Sequence, residues 1–241
     1  MKHPRALLTI GLLCTAACAA IAKPIHVALI CDDGPHPEQT PKLLKVFAAE
    51  GVHVTFGIVA KTAEQHPTLL EQVAAAGHEI TNHSLSHEHP KQLSAAGVDE
   101  QVLEGQKITA KAAGVAPVWY WPPFIEVDDN VRASVAKAGI KIYRAKKLVV
   151  SGDYMNDVDG AEILRRATTG IEDGAVILFH EWRPETAQQM PAVIKELKKQ
   201  GCVFLTFSEM ATYLEQWNAS DHHGAETLSQ TGSFSEKPAE N

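Results

Sequence analysis

Two segments far apart in the chain, Asp32-Asp33-Gly34-Pro35 and His83-Ser84-Leu85-Ser86-His87, hold the residue types of a metal site with a spare carboxylate. Two imidazoles at i and i+4 fall on one face of a helical turn and converge on one ion. A carboxylate from a strand end completes a three-ligand set, which leaves a coordination position for water, as catalytic sites do. The neighbouring Asp points the other way along an extended backbone unless a turn redirects it, and Gly34-Pro35 supplies a turn at once. One Asp then binds the ion while the other handles protons. Taken singly, His-x-x-x-His arises by chance and Asp-Asp-Gly-Pro is most often a surface turn; only their joint occurrence, in order and at strand ends, points to a site.

The elements that must position these residues alternate between short apolar runs and helical patterns. Strands are expected at 26–31, 52–59, 78–82, 118–121, 140–143, 148–150, 175–179 and 203–207. Helices are expected at 41–50, 68–76, 98–113, 128–138, 161–167, 185–199 and 208–217. Repeated β then α implies a parallel sheet with crossover helices, and about seven such units favour a deformed (β/α) barrel of about seven parallel strands over an open sheet. Asp32, Asp33, His83, His87, Phe124, Asp153 and His180 all follow an expected strand. In α/β folds those strand ends converge on one face, where sites form.

The whole chain has 241 residues, 45% of them hydrophobic, which suits one domain with a substantial core. Lys2, His3 and Arg5 precede an apolar stretch from Ala6 to Ala17, and Ala20-Ile21-Ala22 fits a small-x-small cleavage site, so 1–22 reads as an export signal. The apolar run is too short for a membrane span. Thr15-Ala16-Ala17-Cys18 loosely matches a lipobox, a weaker alternative that would anchor the chain through a lipid on Cys18. Either way the mature protein is expected outside the cytoplasm, periplasmic or secreted. The net charge of −7 becomes more negative once Lys2 and Arg5 are removed, which argues against nucleic acid or an anionic membrane surface as partner. Cys31 and Cys202 remain, at opposite ends of their strands, and are expected to stay unpaired. The domain is expected over 23–217 and a disordered, Ser/Glu/Gly/Asn-rich tail over 218–241. Nothing in the sequence sets an oligomeric state.

With these residues placed, the chain resembles the polysaccharide deacetylase family, the NodB-homology domain or carbohydrate esterase family 4, from about His26 to Trp217. Cys31-Asp32-Asp33-Gly34-Pro35 is similar to the family's first motif, and the resemblance makes Asp32 the general base and Asp33 a metal ligand. The run from Gly77 to His87 resembles the second motif, with His83 and His87 as the other ligands. Leu178-Phe179-His180 is similar to the Leu-x-His motif, whose His is the general acid and whose Leu lines an acetyl pocket. Gly152-Asp153-Tyr154 is similar to the Asp-Trp motif, whose Asp orients that His. Two departures stand out: Trp121-Pro122-Pro123-Phe124-Ile125 has Trp where the family has the Arg that pairs with the base, and the fourth motif has Val150 and Tyr154 in place of an outer Asp and a Trp.

The resemblance implies a metal-dependent hydrolase that removes N-acetyl groups from an amino-sugar glycan such as peptidoglycan, a chitin-like oligomer or an exopolysaccharide. One divalent ion is expected; two His and one carboxylate suit zinc best, with cobalt or nickel as alternatives. The backbone N–H of Phe124 is expected to face the oxyanion. Leu178, Tyr154 and Trp121 are candidates for the substrate pocket, although packing is the stronger reading of Trp121. His180 alone would more often be a core histidine, and Asp153 a simple cap. His89, two past His87, is a further residue of interest. Two other functions stay open: a same-fold hydrolase of another non-peptide C–N bond in a small amide, which the missing Arg favours, and an inactive glycan-binding relative, in which Asp32 and His180 would have no use.

Overall fold

A computed structural model describes residues 23–220. The expected export signal with Cys18, and the expected tail from 221 onward, lie outside the described residues. Every strand pairs in parallel, as the β-then-α alternation demands. The chain runs β1 (Ile25–Gly34), α1 (Thr40–Glu50), β2 (Thr55–Ile58), α2 (Ala60–Gln65), α3 (Pro67–Ala75), β3 (Glu79–Asn82), α4 (Ala95–Ala113), β4 (Trp119–Tyr120), α5 (Asp129–Lys137) and β5 (Lys141–Ile142). It continues with β6 (Lys147–Val150), α6 (Gly160–Thr168), β7 (Ala175–His180), α7 (Pro184–Lys199), β8 (Cys202–Phe204) and α8 (Phe207–Ser220).

Seven strands lie in the order β5-β4-β3-β2-β1-β7-β6, a curled sheet whose two edges are joined by the short link between Ile142 and Lys147. The eighth shares an edge of β1. Ile25 to Val27 pair with β8 and Ile30 to Gly34 with β2, while the opposite edge of β1 pairs with β7 from Val27 to Asp32. The barrel is thus deformed where β8 and β2 divide one side of β1. Cys202 sits in register with Ile25, a strand length from Cys31, so the two cysteines stay free.

Period-two alternation sorts the central strands into two faces. Val27, Leu29 and Cys31 of β1, with Ala175, Ile177 and Phe179 of β7, pack outward in one core with Phe47, Val193 and Leu197 of the surrounding helices. Ala28 and Ile30, with Val176 and Leu178, face inward and pack with Trp121, Tyr143, Phe207 and Met210. Helix starts carry their own signals: the side chains of Ser94, Asp128 and Asp159 each accept a backbone N–H at the first turn of α4, α5 and α6.

Several elements differ from the sequence expectation, helix α2 among them. The last strand ends at Phe204, because Phe207 turns inward as the first residue of α8. That helix runs to Ser220, three residues into the expected tail. The segment around His83 and His87 is not helical. Among the described residues no helix is long and apolar enough to cross a membrane.

Candidate active site

Alternation alone carries two of the candidate groups inward. Asp32 continues the series Ala28, Ile30 on β1, and His180 continues Val176, Leu178 on β7; the two are register partners at the C-terminal ends of adjacent strands. Asp33 should point outward by the same rule. It does not, because Asp33 adopts a left-handed backbone (φ 69°) and β1 places one extra residue between Cys31 and Gly34 against β2, a bulge that re-aims the side chain. Both carboxylates therefore reach the same side.

His83 and His87 meet by a different route from the helical turn expected. Ser84 (φ 72°) and His87 (φ 59°) are both left-handed, and the loop is pinned from several sides. His83 N–H donates to the Ile58 carbonyl at 2.9 Å, Ser84 N–H to Asn82 Oδ1 at 2.9 Å, and His87 N–H to Ser84 Oγ at 2.9 Å. Gln101 of α4 accepts from Ser86 N–H at 3.0 Å. The imidazole centroids come to 4.9 Å apart.

Asp33, His83 and His87 each offer one ligand atom, all within 4.8 Å of one another. Asp33 Oδ1 lies 3.2 Å from His87 Nε2 and 3.5 Å from His83 Nε2, close to the separation of about 3.3 Å between ligand atoms held tetrahedrally at about 2.0–2.1 Å from zinc. That oxygen is buried with no hydrogen-bond partner, and such an orphan is accounted for by a cation. His83 Nδ1 donates to the Trp121 carbonyl at 2.5 Å, which leaves Nε2 for the ion. Burial raises the Asp33 carboxyl, but the His83 and His87 charges outweigh it and hold it below the usual carboxylate range. Burial pulls His83 down, yet Asp32 and Asp33 push it up to about 9, while burial and His83 bring His87 down to about 4. Three groups that together retain a proton above neutrality have a field suited to positive charge, and the trio fits a divalent ion.

Beside this trio, Asp32 is buried and held through one of its two oxygens. Its Oδ2 accepts the Trp121 indole N–H at 2.8 Å. Its Oδ1 has no partner, and a Cβ on Gly57 of β2 would stand 2.3 Å from it, so only glycine leaves room there. Burial pushes the Asp32 carboxyl up to about 6, with His83 and His180 pulling the other way. Among the described residues no Arg or Lys takes the missing Arg's place: the charged neighbours of Asp32 are His83, His180 and Asp33, Arg144 is exposed and Lys146 reaches the Asp173 carbonyl instead.

His180 is fixed by Asp153, which is fully buried in the loop after β6. Asp153 accepts the His180 backbone N–H at 2.7 Å and the Nδ1–H at 2.8 Å, and Thr186 Oγ1 donates to it at 2.6 Å. The other ring nitrogen, Nε2, is left for the site. Burial lowers His180, but the Asp153 bond and charge outweigh it and raise the imidazole.

Of the remaining expected residues, Phe124 sits in a 3-10 turn with a left-handed backbone (φ 55°) and is 45% exposed. The turn's bonds use the N–H groups of Ile125 and Glu126, not that of Phe124. His89 stacks on the Phe124 ring at 3.4 Å between centroids. Tyr154, 40% exposed, sets its ring edge-on to His180 at 5.3 Å, and Leu178 is buried one turn of the pleat below. Trp121, the third pocket candidate, is 1% exposed, packed against the stacked rings of Tyr143 and Phe207, with its indole N–H on Asp32.

Two residues beyond the expected set belong to the site. Glu181 N–H donates to the Asp32 carbonyl at 3.0 Å, and its buried carboxyl group accepts from Thr40 Oγ1, whose oxygen in turn accepts the His36 backbone N–H at 2.8 Å, clamping the Asp-Asp-Gly-Pro turn to β7. Gly34 makes room for it, since a Cβ there would lie 1.1 Å from Glu181 Oε1. Trp182 donates its indole N–H to Asp33 Oδ2 at 3.0 Å.

A family model described as polysaccharide deacetylase matches residues 20–143. The chain is 29% identical over 191 residues to a peptidoglycan-N-acetylglucosamine deacetylase of Bacillus cereus, covering 78% of this chain and 88% of that one. It is 28% identical over 185 residues to the peptidoglycan-N-acetylglucosamine deacetylase PgdA of Listeria monocytogenes, covering 77% of this chain and 38% of that one. Among solved structures, the peptidoglycan deacetylase PdaC of Bacillus subtilis superposes with a TM-score of 0.75 at 27% identity, covering 82% of this chain and 95% of that one.

Proposed function

Because the chain belongs to the polysaccharide deacetylase family, we propose that it hydrolyses N-acetyl groups from an amino-sugar glycan outside the cytoplasm, with peptidoglycan the first substrate to try. The observation that carries this reading is the convergence of Asp32, the Asp33–His83–His87 trio and the Asp153-anchored His180 on one strand-end face. Asp33, His83 and His87 would hold one divalent ion, with zinc the best match to two imidazoles and a carboxylate. When bound, the ion supplies Lewis acidity to the acetyl carbonyl and makes water a better nucleophile.

The chain's own residues do the rest. Asp32, raised toward neutrality by burial, takes the proton of the attacking water. The Phe124 N–H donates to the carbonyl oxygen as it gains charge. His180 carries a proton on Nε2, favoured by Asp153, and gives it to the sugar nitrogen as the C–N bond breaks. Acetate and a free amine leave. Tyr154 and Leu178 bound the space beside His180 that the acetyl methyl would occupy. The absent Arg favours a different amide substrate only if the base is left without a donor, and the Trp121 bond to Asp32 supplies one.

Acetate release from peptidoglycan and N-acetylglucosamine oligomers, with and without chelator, tests the proposal. Chelator-sensitive release is expected. No release from any glycan by the metal-loaded protein would overturn it and favour a binding relative.

A further inference from the structure

β7 ends in His180, and the residues after it reach back across β1. We propose that Trp182 is the positioning residue that commits the Asp33 carboxylate to single-oxygen ligation of the ion, an inference that rests on the metal-binding role of Asp33 given above. The two oxygens of Asp33 stand in different surroundings. Oδ2 accepts the Trp182 indole N–H at 3.0 Å. Oδ1 is buried without a hydrogen-bond partner, 3.2 and 3.5 Å from the two imidazole nitrogens.

A carboxylate with both oxygens free can swing until both face the ion, and the second oxygen then takes the position that water needs. The indole prevents this by occupying one oxygen. It suits the task because its N–H only donates: unlike a hydroxyl, amide or imidazole, it has no lone pair with which to ligate the ion itself. Trp182 is in turn held in place. The preceding residue is tied to Asp32 through the Glu181 N–H at 3.0 Å, and the Arg183 guanidinium lies 5.4 Å from the Trp182 ring centroid. The residue is 38% exposed, so a smaller ring costs little packing there.

The test is Trp182→Phe, which keeps a ring and removes the N–H, with Trp182→Leu as the second variant. Zinc affinity is measured by competition with a chromophoric chelator, and the visible spectrum of the cobalt-substituted protein reports coordination number. Both variants are expected to lose affinity by about 10–100-fold, the usual effect of removing an outer partner of a metal ligand. The cobalt absorption is expected to weaken as the carboxylate turns bidentate. Zinc affinity of the Trp182→Phe variant within about twofold of the parent would overturn the proposal, as would a loss seen only in Trp182→Leu, which would assign the effect to packing. Weakened affinity with an unchanged cobalt spectrum would also overturn it. Neither readout involves glycan turnover, so a parent protein that releases no acetate would count against the proposed function and leave this result standing.

Discussion

Trp121 donates its indole N–H to Asp32 at 2.8 Å, so a neutral donor stands where the polysaccharide deacetylase motif places a cation. The bond is buried, and its removal leaves both oxygens of a buried carboxylate without a hydrogen-bond donor. A hydrogen bond to a charged group contributes about 1.5–3 kcal/mol. Trp121→Phe is therefore expected to lower kcat by about 10–100-fold with metal content unchanged. Steady-state kinetics and metal analysis check this, and full activity would reduce Trp121 to packing.

The pH profile follows from the same pair. Asp32 must be ionised to accept a proton, so activity falls as pH drops through its pKa. Burial pushes that value up to about 6, and a bound cation pulls it lower. Trp121→Arg adds an opposite charge and is expected to move the acidic limb of kcat/KM down by about 1–3 pH units. An unmoved limb in an active variant would contradict the assignment of that limb to Asp32.

Coordination and proton transfer should separate by mutation. His83→Ala is expected to purify with little metal, whereas Asp32→Asn and His180→Ala keep it and lose more than about a hundredfold in turnover. Equal metal in the parent and His83→Ala, or near-normal turnover in either of the other two, would reassign the roles.

Glu181 gives a stability signature. Burial pushes its carboxyl up to about 8, against an ordinary value of about 4.3. Between those values the folded protein holds a proton that the unfolded chain has released, so stability falls as pH rises through that window. Glu181→Gln cannot ionise, and its unfolding free energy by denaturant titration is expected to decline less between about pH 5 and about pH 8 than the parent's. Parallel curves would show that Glu181 is ionised in the fold at all these values.

The inward series Ala28, Ile30, Asp32 and Val176, Leu178, His180 is legible in the sequence because period two is a property of the strand itself. The stop of α1 at Gly51 is readable for a similarly local reason, since glycine takes the left-handed backbone that ends a helix. The helical turn expected for His83 and His87 fails because i, i+4 spacing is satisfied equally by a loop with two left-handed residues, and neither Ser84 nor His87 announces that backbone. Helix α2 is six residues long, too short for a periodic signal. Trp121, Glu181 and Trp182 give no local sign of their bonds, since each partner arrives from another strand.

The bulge in β1 sets the spacing of the two carboxylates in main chain. Asp32 and Asp33 are consecutive, and their common facing depends on one left-handed residue and one inserted position of the main chain. Directed evolution toward a bulkier acyl group would accordingly find its variation in the loops that carry Phe124 and Tyr154, while the ruler between the two carboxylates stays fixed by the strand.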